Sequence, residues 1–181
     1  MAGAPLRVDA IVLGTTTGGI LRTEALLEAE LFGHEKGAFP GALRQRRGRF
    51  ELAHKGTLLI DDIDAVSPNV QARVWRLLQN RRFERVGGRE PIEADVRIVC
   101  ASTDDLKEMV HQGRFHKELS DQLTSVQIVV PPLRERKEDI PLLVAHFLKG
   151  KTSAATNRLL QLTRQAMDLL CAYDWPGNVR E

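Results

Sequence analysis

Short apolar runs, each bounded by glycine, proline or charged residues, recur along the first two thirds of the chain. Runs of this length are too short for the buried face of a helix, and the turn-forming residues that flank them are typical of buried strands. Two adjacent prolines follow the last run and end regular structure there. The runs predict four strands, at Val8–Leu13, Thr57–Ile60, Val96–Ala101 and Val126–Val130.

Apolar residues three and four positions apart fall between these strands and after them, which is the spacing of amphipathic helices. The predicted helices are Thr23–Phe32, with Thr23 as N-cap, Asn69–Asn80, Asp139–Leu148 and Thr163–Tyr173. Strands and helices alternate up to residue 133, and only helices follow. This order favours an α/β fold with a mainly parallel sheet covered on both faces. We therefore expect an α/β core over 1–133 and a partial helical lid over 134–181.

Composition excludes only a few classes of function. The net charge is +2, from 26 basic and 24 acidic residues, so the overall field gives no strong reason to expect nucleic-acid binding. The two cysteines, Cys100 and Cys171, are far apart, which argues against a disulfide scaffold and fits a reducing compartment. No secretory signal and no apolar run long enough to span a bilayer is seen. We expect a cytoplasmic protein with no membrane partner.

Two consecutive carboxylates, Asp61 and Asp62, follow the apolar run Thr57–Ile60 directly. In open α/β sheets ligands bind beyond the carboxyl ends of strands. Paired carboxylates at that place can hold Mg2+ and polarise an attacking water molecule. The alternative is a strand end closed by two solvated aspartates, and the stretch by itself leaves both interpretations open.

Five longer segments stand in a fixed order around this pair: Glu30–Ala42, Phe83–Gly88, Asp95–Ser102, Pro131–Leu143 and Trp175–Glu181. Together with the stretch Gly56–Ile63 they resemble the central domain of the bacterial sigma-54-dependent transcription activators. The resemblance covers most of residues 24–181. It implies an αβα sandwich of the AAA+ P-loop NTPase type with a helical lid. It also implies ring oligomers in which hydrolysis of ATP with Mg2+ drives surface loops against sigma-54 RNA polymerase.

The resemblance gives roles to individual residues. Asp61 matches the Mg2+ ligand of the family, and Asp62 matches the water-activating acid, which is glutamate in the family. Ser102 and Thr103 stand where the family has the threonine and asparagine that sense the nucleotide. Arg180 matches the lid arginine that contacts it. The sigma-54 contact loop corresponds to Gly37, Ala38, Phe39, Pro40, Gly41 and Ala42, with Pro40 in place of a threonine.

Other positions depart from the family and predict an impaired or absent ATPase. Gly14 and Gly19 have the spacing of the outer glycines of a P-loop, but Ile20 stands where the phosphate-binding lysine belongs. An isoleucine supplies no charge to the phosphates. His116 and Gln122 replace two arginines that reach the neighbouring subunit's nucleotide, and neutral glutamine cannot stabilise the transition-state charge.

Two questions stay open on the sequence. Val8–Leu13 is interpreted as the family's second strand, beside Thr57–Ile60, whereas a decayed P-loop strand would lie between Val96–Ala101 and Val126–Val130. The chain is interpreted as a sigma-54 interaction domain, acting in a ring homo-oligomer or a mixed oligomer. The alternative is a non-catalytic remnant that docks with intact AAA+ relatives. No DNA-binding helix-turn-helix is recognised in the chain.

Overall fold

A computed structural model of the chain describes residues 8–9, 24–151 and 162–181. The chain divides into two compact units, Met1–Gln127 and Ile128–Glu181. The strands of the described residues are β1 Val8–Asp9, β2 Gly33–His34, β3 Arg46–Arg47, β4 Thr57–Ile60, β5 Arg82–Phe83, β6 Ile92–Glu93 and β7 Arg97–Cys100. The α-helices are α1 Glu24–Phe32, α2 Arg49–Leu52, α3 Pro68–Asn80, α4 Leu106–His111, α5 Lys117–Leu123, α6 Ile140–Leu148 and α7 Arg164–Ala172.

Three parallel strands form the central sheet of the first unit, in the order β1-β4-β7. Strand β4 lies in the middle, pairing from Thr57 with Arg97 to Ile60 with Cys100 on one side. It is almost wholly buried, as a near-continuous apolar run predicts for a strand covered on both faces. Helices surround this parallel sheet, so the predicted α/β fold class is confirmed.

The position of β1 bears on the open question about the first apolar run. Val8 pairs with Thr57 and Asp9 with Leu58, both in parallel. This places β1 on the side of β4 opposite to β7, where the second-strand interpretation puts it. For these two residues that prediction is confirmed. Ala10 and Val12, whose partners would extend the comparison, lie outside the described residues, as do Gly14 and Gly19.

The predicted fourth strand, Val126–Val130, is wrong. These residues have no regular structure, and Ile128 is 85% exposed. A strand is stable only beside another strand, because its backbone N–H and C=O groups need hydrogen-bond partners. Within the described residues no strand adjoins the outer edge of β7. The apolar, β-branched composition of Val126–Val130 is typical of a strand, but among the described residues the segment has no strand to pair with.

The core of the first unit lies around β4 and the helices next to it. Three aromatic rings, from Phe32, Phe50 and Phe83, meet with centroids 5.2, 5.8 and 6.3 Å apart. Each side chain is at least nine-tenths buried. Because these rings come from α1, α2 and β5, they join the two short hairpins of the unit to the sheet core.

The ends of the helices follow local signals. Helix α3 begins after Ser67, whose hydroxyl accepts a hydrogen bond from the Val70 N–H, and Pro68 occupies its first turn. Helix α7 begins after Thr163, which caps the N–H of Ala166. The predicted helices are confirmed to within a residue or two. Thr23, the predicted cap of α1, lies outside the described residues.

The second unit is a small helical assembly of α6, α7 and short 3-10 turns. Trp175 Nε1 donates to the carbonyl of Leu170 at 2.8 Å, and the Leu133 N–H donates to Asn178 Oδ1 at 3.1 Å. Lys137 bonds Asp174 at 2.9 Å, and this hydrogen bond, followed by the charge of Lys137, lowers the pKa of Asp174. None of the helices in the described ranges is long and apolar enough to cross a membrane.

Candidate functional site

The carboxyl ends of β4 and β7 meet at one edge of the sheet. The Ala101 N–H donates to the Ile60 carbonyl at 2.9 Å, and the Ile63 N–H donates to the Ala101 carbonyl at 3.1 Å. These bonds continue the parallel register beyond both strands. They bring the pair Asp61–Asp62 beside Ser102–Thr103, so the four predicted catalytic residues share one sheet edge.

The chain turns sharply at the second aspartate. Asp62 has φ 52° and ψ 47°, in the left-handed region that aspartate tolerates better than most residues. Asp61 Oδ1 accepts the Asp62 N–H at 3.2 Å, which stabilises the turn. Both side chains are half-buried. The sharp turn at Asp62 prevents β4 from continuing beyond Asp61.

The other two predicted catalytic residues are exposed, and each donates one side-chain hydrogen bond. Ser102 Oγ donates to the carbonyl of Asp104 at 2.7 Å. Thr103 Oγ1 donates to Asp64 Oδ2 at 3.1 Å. Asp64 is a third carboxylate that the sequence did not single out, although it lies only two residues after Asp62. Its Oδ1 atom is buried and has no hydrogen-bond partner among the described residues.

The residue types at this edge suit Mg2+. Asp61 and Asp62 offer hard carboxylate oxygens at the carboxyl end of β4, and both side chains are half-buried. The described residues contain no group of three acidic, histidine or cysteine side chains that would hold a metal unaided. Mg2+ suits such a partial site, because it keeps several waters and binds through one or two carboxylates together with phosphates.

His116 and Gln122, the two positions predicted to replace arginines, belong to α5 and its N-cap. His116 caps α5, its Nδ1 accepting from the Leu119 N–H at 3.4 Å, and its ring lies 6.2 Å from that of Trp75. Gln122 is exposed, and its carbonyl accepts a hydrogen bond from Ser125 Oγ at 2.9 Å. Neither side chain brings a permanent positive charge to the surface.

The predicted contact loop is a closed turn between β2 and β3. The Gly37 N–H donates to the Ala42 carbonyl at 2.8 Å, and the Ala42 N–H donates to the Phe39 carbonyl at 2.9 Å. Gly37 and Gly41 have φ of +81° and +99°, which strongly favours glycine at both positions. Pro40 and Gly41 form the exposed tip.

Phe39, the aromatic residue of the loop, is half-buried. Its ring packs edge-on against the ring of His34, with centroids 4.9 Å apart. The most exposed apolar side chain next to the loop is Leu43, at 84%. Sequence reasoning missed Leu43, although a large apolar residue directly before a run of arginines could have indicated it.

Sequence reasoning also missed three charged residues that meet behind the loop: Arg85, Glu35 and Glu51. Arg85 bonds both carboxylates, at 2.8 Å to Glu35 and 2.9 Å to Glu51. The three residues are separated by 16 to 50 positions in the sequence. No local spacing rule connects them, so only the fold reveals the cluster.

Arg180 belongs to a 3-10 turn, Asn178–Arg180, in the second unit. It is exposed and lines an apolar cavity of about 330 Å³ together with Leu133, Ile140 and Phe147. The neighbouring Gly177 N–H donates to Glu181 Oε2 at 2.9 Å. This hydrogen bond joins the residues on either side of the turn that carries Arg180.

Comparison with known proteins agrees with this architecture. Residues 14–129 match the family model described as the sigma-54 interaction domain, and residues 134–181 match the AAA+ ATPase lid domain. The Nif-specific regulatory protein of Herbaspirillum seropedicae is 52% identical over 88% of this chain and 29% of its own length. The transcriptional regulatory protein ZraR of Escherichia coli is 51% identical over 87% of this chain and 36% of its own.

Solved structures of the NtrX protein of Brucella abortus are similar in fold. The complex with ADP superposes with a TM-score of 0.78 at 33% identity, over 94% of this chain and 36% of NtrX. The complex with ATP gives a TM-score of 0.76 at 34% identity, over 94% and 37%. The chain thus spans about a third of the length of the relatives that it matches. On these matches and this fold, the chain belongs to the sigma-54 interaction domain family of AAA+ transcription regulators.

Proposed function

We propose that the chain is a sigma-54-contacting domain of a transcription regulator in which Gly37–Ala42 is the contact loop and ATP hydrolysis is impaired or absent. By family membership its partner is sigma-54 RNA polymerase, and its working form is a ring homo-oligomer or a mixed oligomer. The single observation that carries the proposal is the loop itself. It is closed at its base by the bond between Gly37 and Ala42, and it presents Pro40 and Gly41 to solvent.

The shape of the loop supports a contact role. The two backbone hydrogen bonds that close the turn restrict its conformations, so a partner that binds it orders little additional chain. Leu43 adds an exposed apolar side chain at the foot of the loop. Pro40 fixes its own φ and offers no N–H or hydroxyl, so a partner can contact this position only through apolar surface and backbone carbonyls.

The nucleotide chemistry is proposed to be weak. Asp61 would hold Mg2+ and Asp62 would orient a water, with Asp64 and Thr103 beside them. When bound with ATP, Mg2+ supplies positive charge that neutralises the phosphates. However, His116 and Gln122 stand, by resemblance, where the family has two arginines, and no lysine lies between β1 and Lys36. A further reason to expect weak ATP hydrolysis is Asp62, whose side chain is one methylene shorter than the glutamate of the family and reaches less far toward a water molecule.

A loop graft tests the contact role directly. Residues 37–42 replace the corresponding loop of an intact family member, and binding to sigma-54 and open-complex formation are measured. We expect the graft to bind sigma-54 and to form fewer open complexes than the parent. The matched control is the same graft with Pro40→Thr, which we expect to restore open-complex formation. A graft that binds no sigma-54 in either version would overturn the contact role.

The alternative function, a non-catalytic module that docks with intact AAA+ relatives, is favoured by one observation. The outer edge of β7 has no strand neighbour among the described residues, and Val99 on it is 42% exposed. Exposed edges of this kind invite pairing with another chain. Mixing the chain with an intact relative distinguishes the two functions. A docking module would lower the relative's ATPase activity in proportion to the amount added, whereas an independent domain would leave it unchanged.

A further inference from the structure

A basic cleft lies between helix α3 and the hairpin of β5 and β6, with a volume of about 910 Å³. Side chains three or four positions apart on α3 form one wall, because they share a helix face. The opposite wall comes from β5, β6 and the residues between them. Five of the side chains that line the cleft are arginines: Arg73, Arg76, Arg81, Arg82 and Arg85. The cleft therefore concentrates positive charge in a chain whose net charge is only +2.

Internal partners neutralise two of these arginines and part of the charge of a third. Arg73 pairs with Glu28 at 2.6 Å, and Arg85 pairs with the two carboxylates described above. Arg81 lies 3.3 Å from Asp95, but both side chains are more than half exposed, and such surface pairs are weak. The internal ion pairs therefore account for Arg73 and Arg85 and leave Arg81 only loosely held.

Arg76 and Arg82 have no such partners among the described residues. Both are exposed, and neither forms a hydrogen bond or an ion pair with another residue of the described ranges. Glu84 and Glu93 also line the cleft, but no ion pair joins either carboxylate to these arginines in the part of the chain that the structure describes. The two guanidiniums are thus available to an anion that enters from solvent.

The carboxyl end of α3 does not explain both of these arginines. A cation stabilises the negative end of a helix, but the effect falls off within about the last turn. Helix α3 ends at Asn80 and has no basic residue in its last turn. Arg82 follows the helix closely enough to act in this way, whereas Arg76 lies before the last turn. Stabilisation of the helix end therefore does not account for Arg76.

The rest of the lining favours a phosphate backbone over a small ligand or a peptide. Small-ligand sites are mostly apolar, and peptide sites need apolar anchors. Of the described residues that line the cleft, only Pro91 has an exposed apolar side chain, and Phe83 is 7% exposed. Asn69 and Asn80 add exposed amides, which like arginine are common donors to phosphate oxygens. Because the lining offers no exposed aromatic ring on which unpaired bases could stack, duplex DNA fits better than a single strand.

We propose that Arg76 and Arg82 contact the sugar–phosphate backbone of duplex DNA, with Arg81 beside them, independently of base sequence. Contacts of this kind position a protein on DNA but carry no sequence information. The small net charge does not oppose them, because salt screens charges that lie more than about 8–10 Å away. This contact is separate from the proposed one with sigma-54 and does not depend on it.

Fluorescence anisotropy of a fluorescein-labelled duplex, titrated with the intact chain at several salt concentrations, measures this binding. The test variant is Arg76→Gln/Arg82→Gln. The matched control, Lys107→Gln/Arg164→Gln, removes the same charge from two exposed side chains outside the cleft. Loss of two phosphate contacts should lower the slope of log Kd against log salt concentration by about two, and should weaken binding roughly fiftyfold at about 0.1 M salt. The control should weaken binding by less than about threefold, because its charges are screened from the cleft.

Absence of saturable DNA binding by the parent chain, or equal weakening in the test variant and the control, overturns the proposal. Equal competition by poly-glutamate of matched charge also overturns it, because the cleft would then accept any acidic peptide. If circular dichroism shows that the double variant is unfolded, the single variants Arg76→Gln and Arg82→Gln replace it, and each should lower the slope by about one. Sigma-54 is absent from these titrations, so their outcome and that of the loop graft are independent.

Discussion

The His116 N–H donates a hydrogen bond to Gln71 Oε1 at 2.8 Å, across 45 positions of sequence. The Gln71 side chain is buried, and its Nε2 donates to the Val66 carbonyl at 2.9 Å and to the Arg114 carbonyl at 3.3 Å. One amide on α3 thus satisfies backbone groups in the segments before α3 and before α5. The first segment lies between Asp61–Asp62 and α3, and the second leads into α5.

Gln71→Leu should destabilise the first unit by about 2–4 kcal/mol, because buried backbone groups lose their partners. Urea unfolding followed by Trp75 fluorescence, in a Trp175→Phe background, measures the free energy of unfolding. The control is Gln79→Leu on the exposed side of the same helix, expected to change stability by no more than about 0.5 kcal/mol. Equal effects of the two replacements would contradict a special role for the Gln71 amide.

Glu35 should stabilise the loop in a pH-dependent way. Its folded-state pKa lies below the ordinary 4.5, chiefly because of the hydrogen bond from Arg85. The unfolded chain therefore takes up this proton first as the pH falls. The stabilisation is complete above pH 4.5 and is lost as the pH drops through the lowered folded-state pKa. A carboxyl NMR titration should give a higher pKa for Glu35 in Arg85→Lys than in the parent, and identical values would refute the coupling.

Cys100 should react slowly with thiol reagents. Burial raises the pKa of its thiol to about 12. At pH 8 the thiolate is then roughly a thousandfold rarer than for an ordinary cysteine with a pKa of about 8.5. Iodoacetamide labelling of a Cys171→Ser variant, with mass-spectrometric detection, measures the rate. Labelling as fast as free cysteine, with the chain still folded, would show that the thiol is accessible and readily ionised.

The purified chain should bind ATP weakly and hydrolyse it negligibly. We expect this because His116 and Gln122 stand, by resemblance, where the family has two arginines that act on the phosphates, and because no lysine lies between β1 and Lys36. Phosphate release at millimolar ATP tests this, and turnover of about 1 per second or faster would contradict it. Ile20→Lys is a useful companion variant. The second-strand interpretation predicts no gain from it, whereas a gain in ATP binding would identify Gly14–Gly19 as a decayed P-loop.

Much of the fold could be predicted from the sequence because its signals are local. Ser67 caps the start of α3, and the proline ring of Pro68 fixes a φ that suits the first turn of a helix. The apolar run Thr57–Ile60 indicates β4. The pair Asp61–Asp62 could be identified because it directly follows a strand. Its position beside Ser102 follows from the parallel pairing of two predicted strands. Each of these inferences needs only neighbouring residues and a general rule about sheets.

Tertiary structure alone decided the features that depend on distant partners. Val126–Val130 has the composition of a strand, but a strand requires hydrogen bonds from a neighbour, and composition cannot supply one. Arg85, Glu35 and Glu51 form one triad only because the fold brings three separate segments within hydrogen-bonding distance. Periodicity and caps act over a few residues, whereas burial and ion pairing depend on which segments the folded chain brings together.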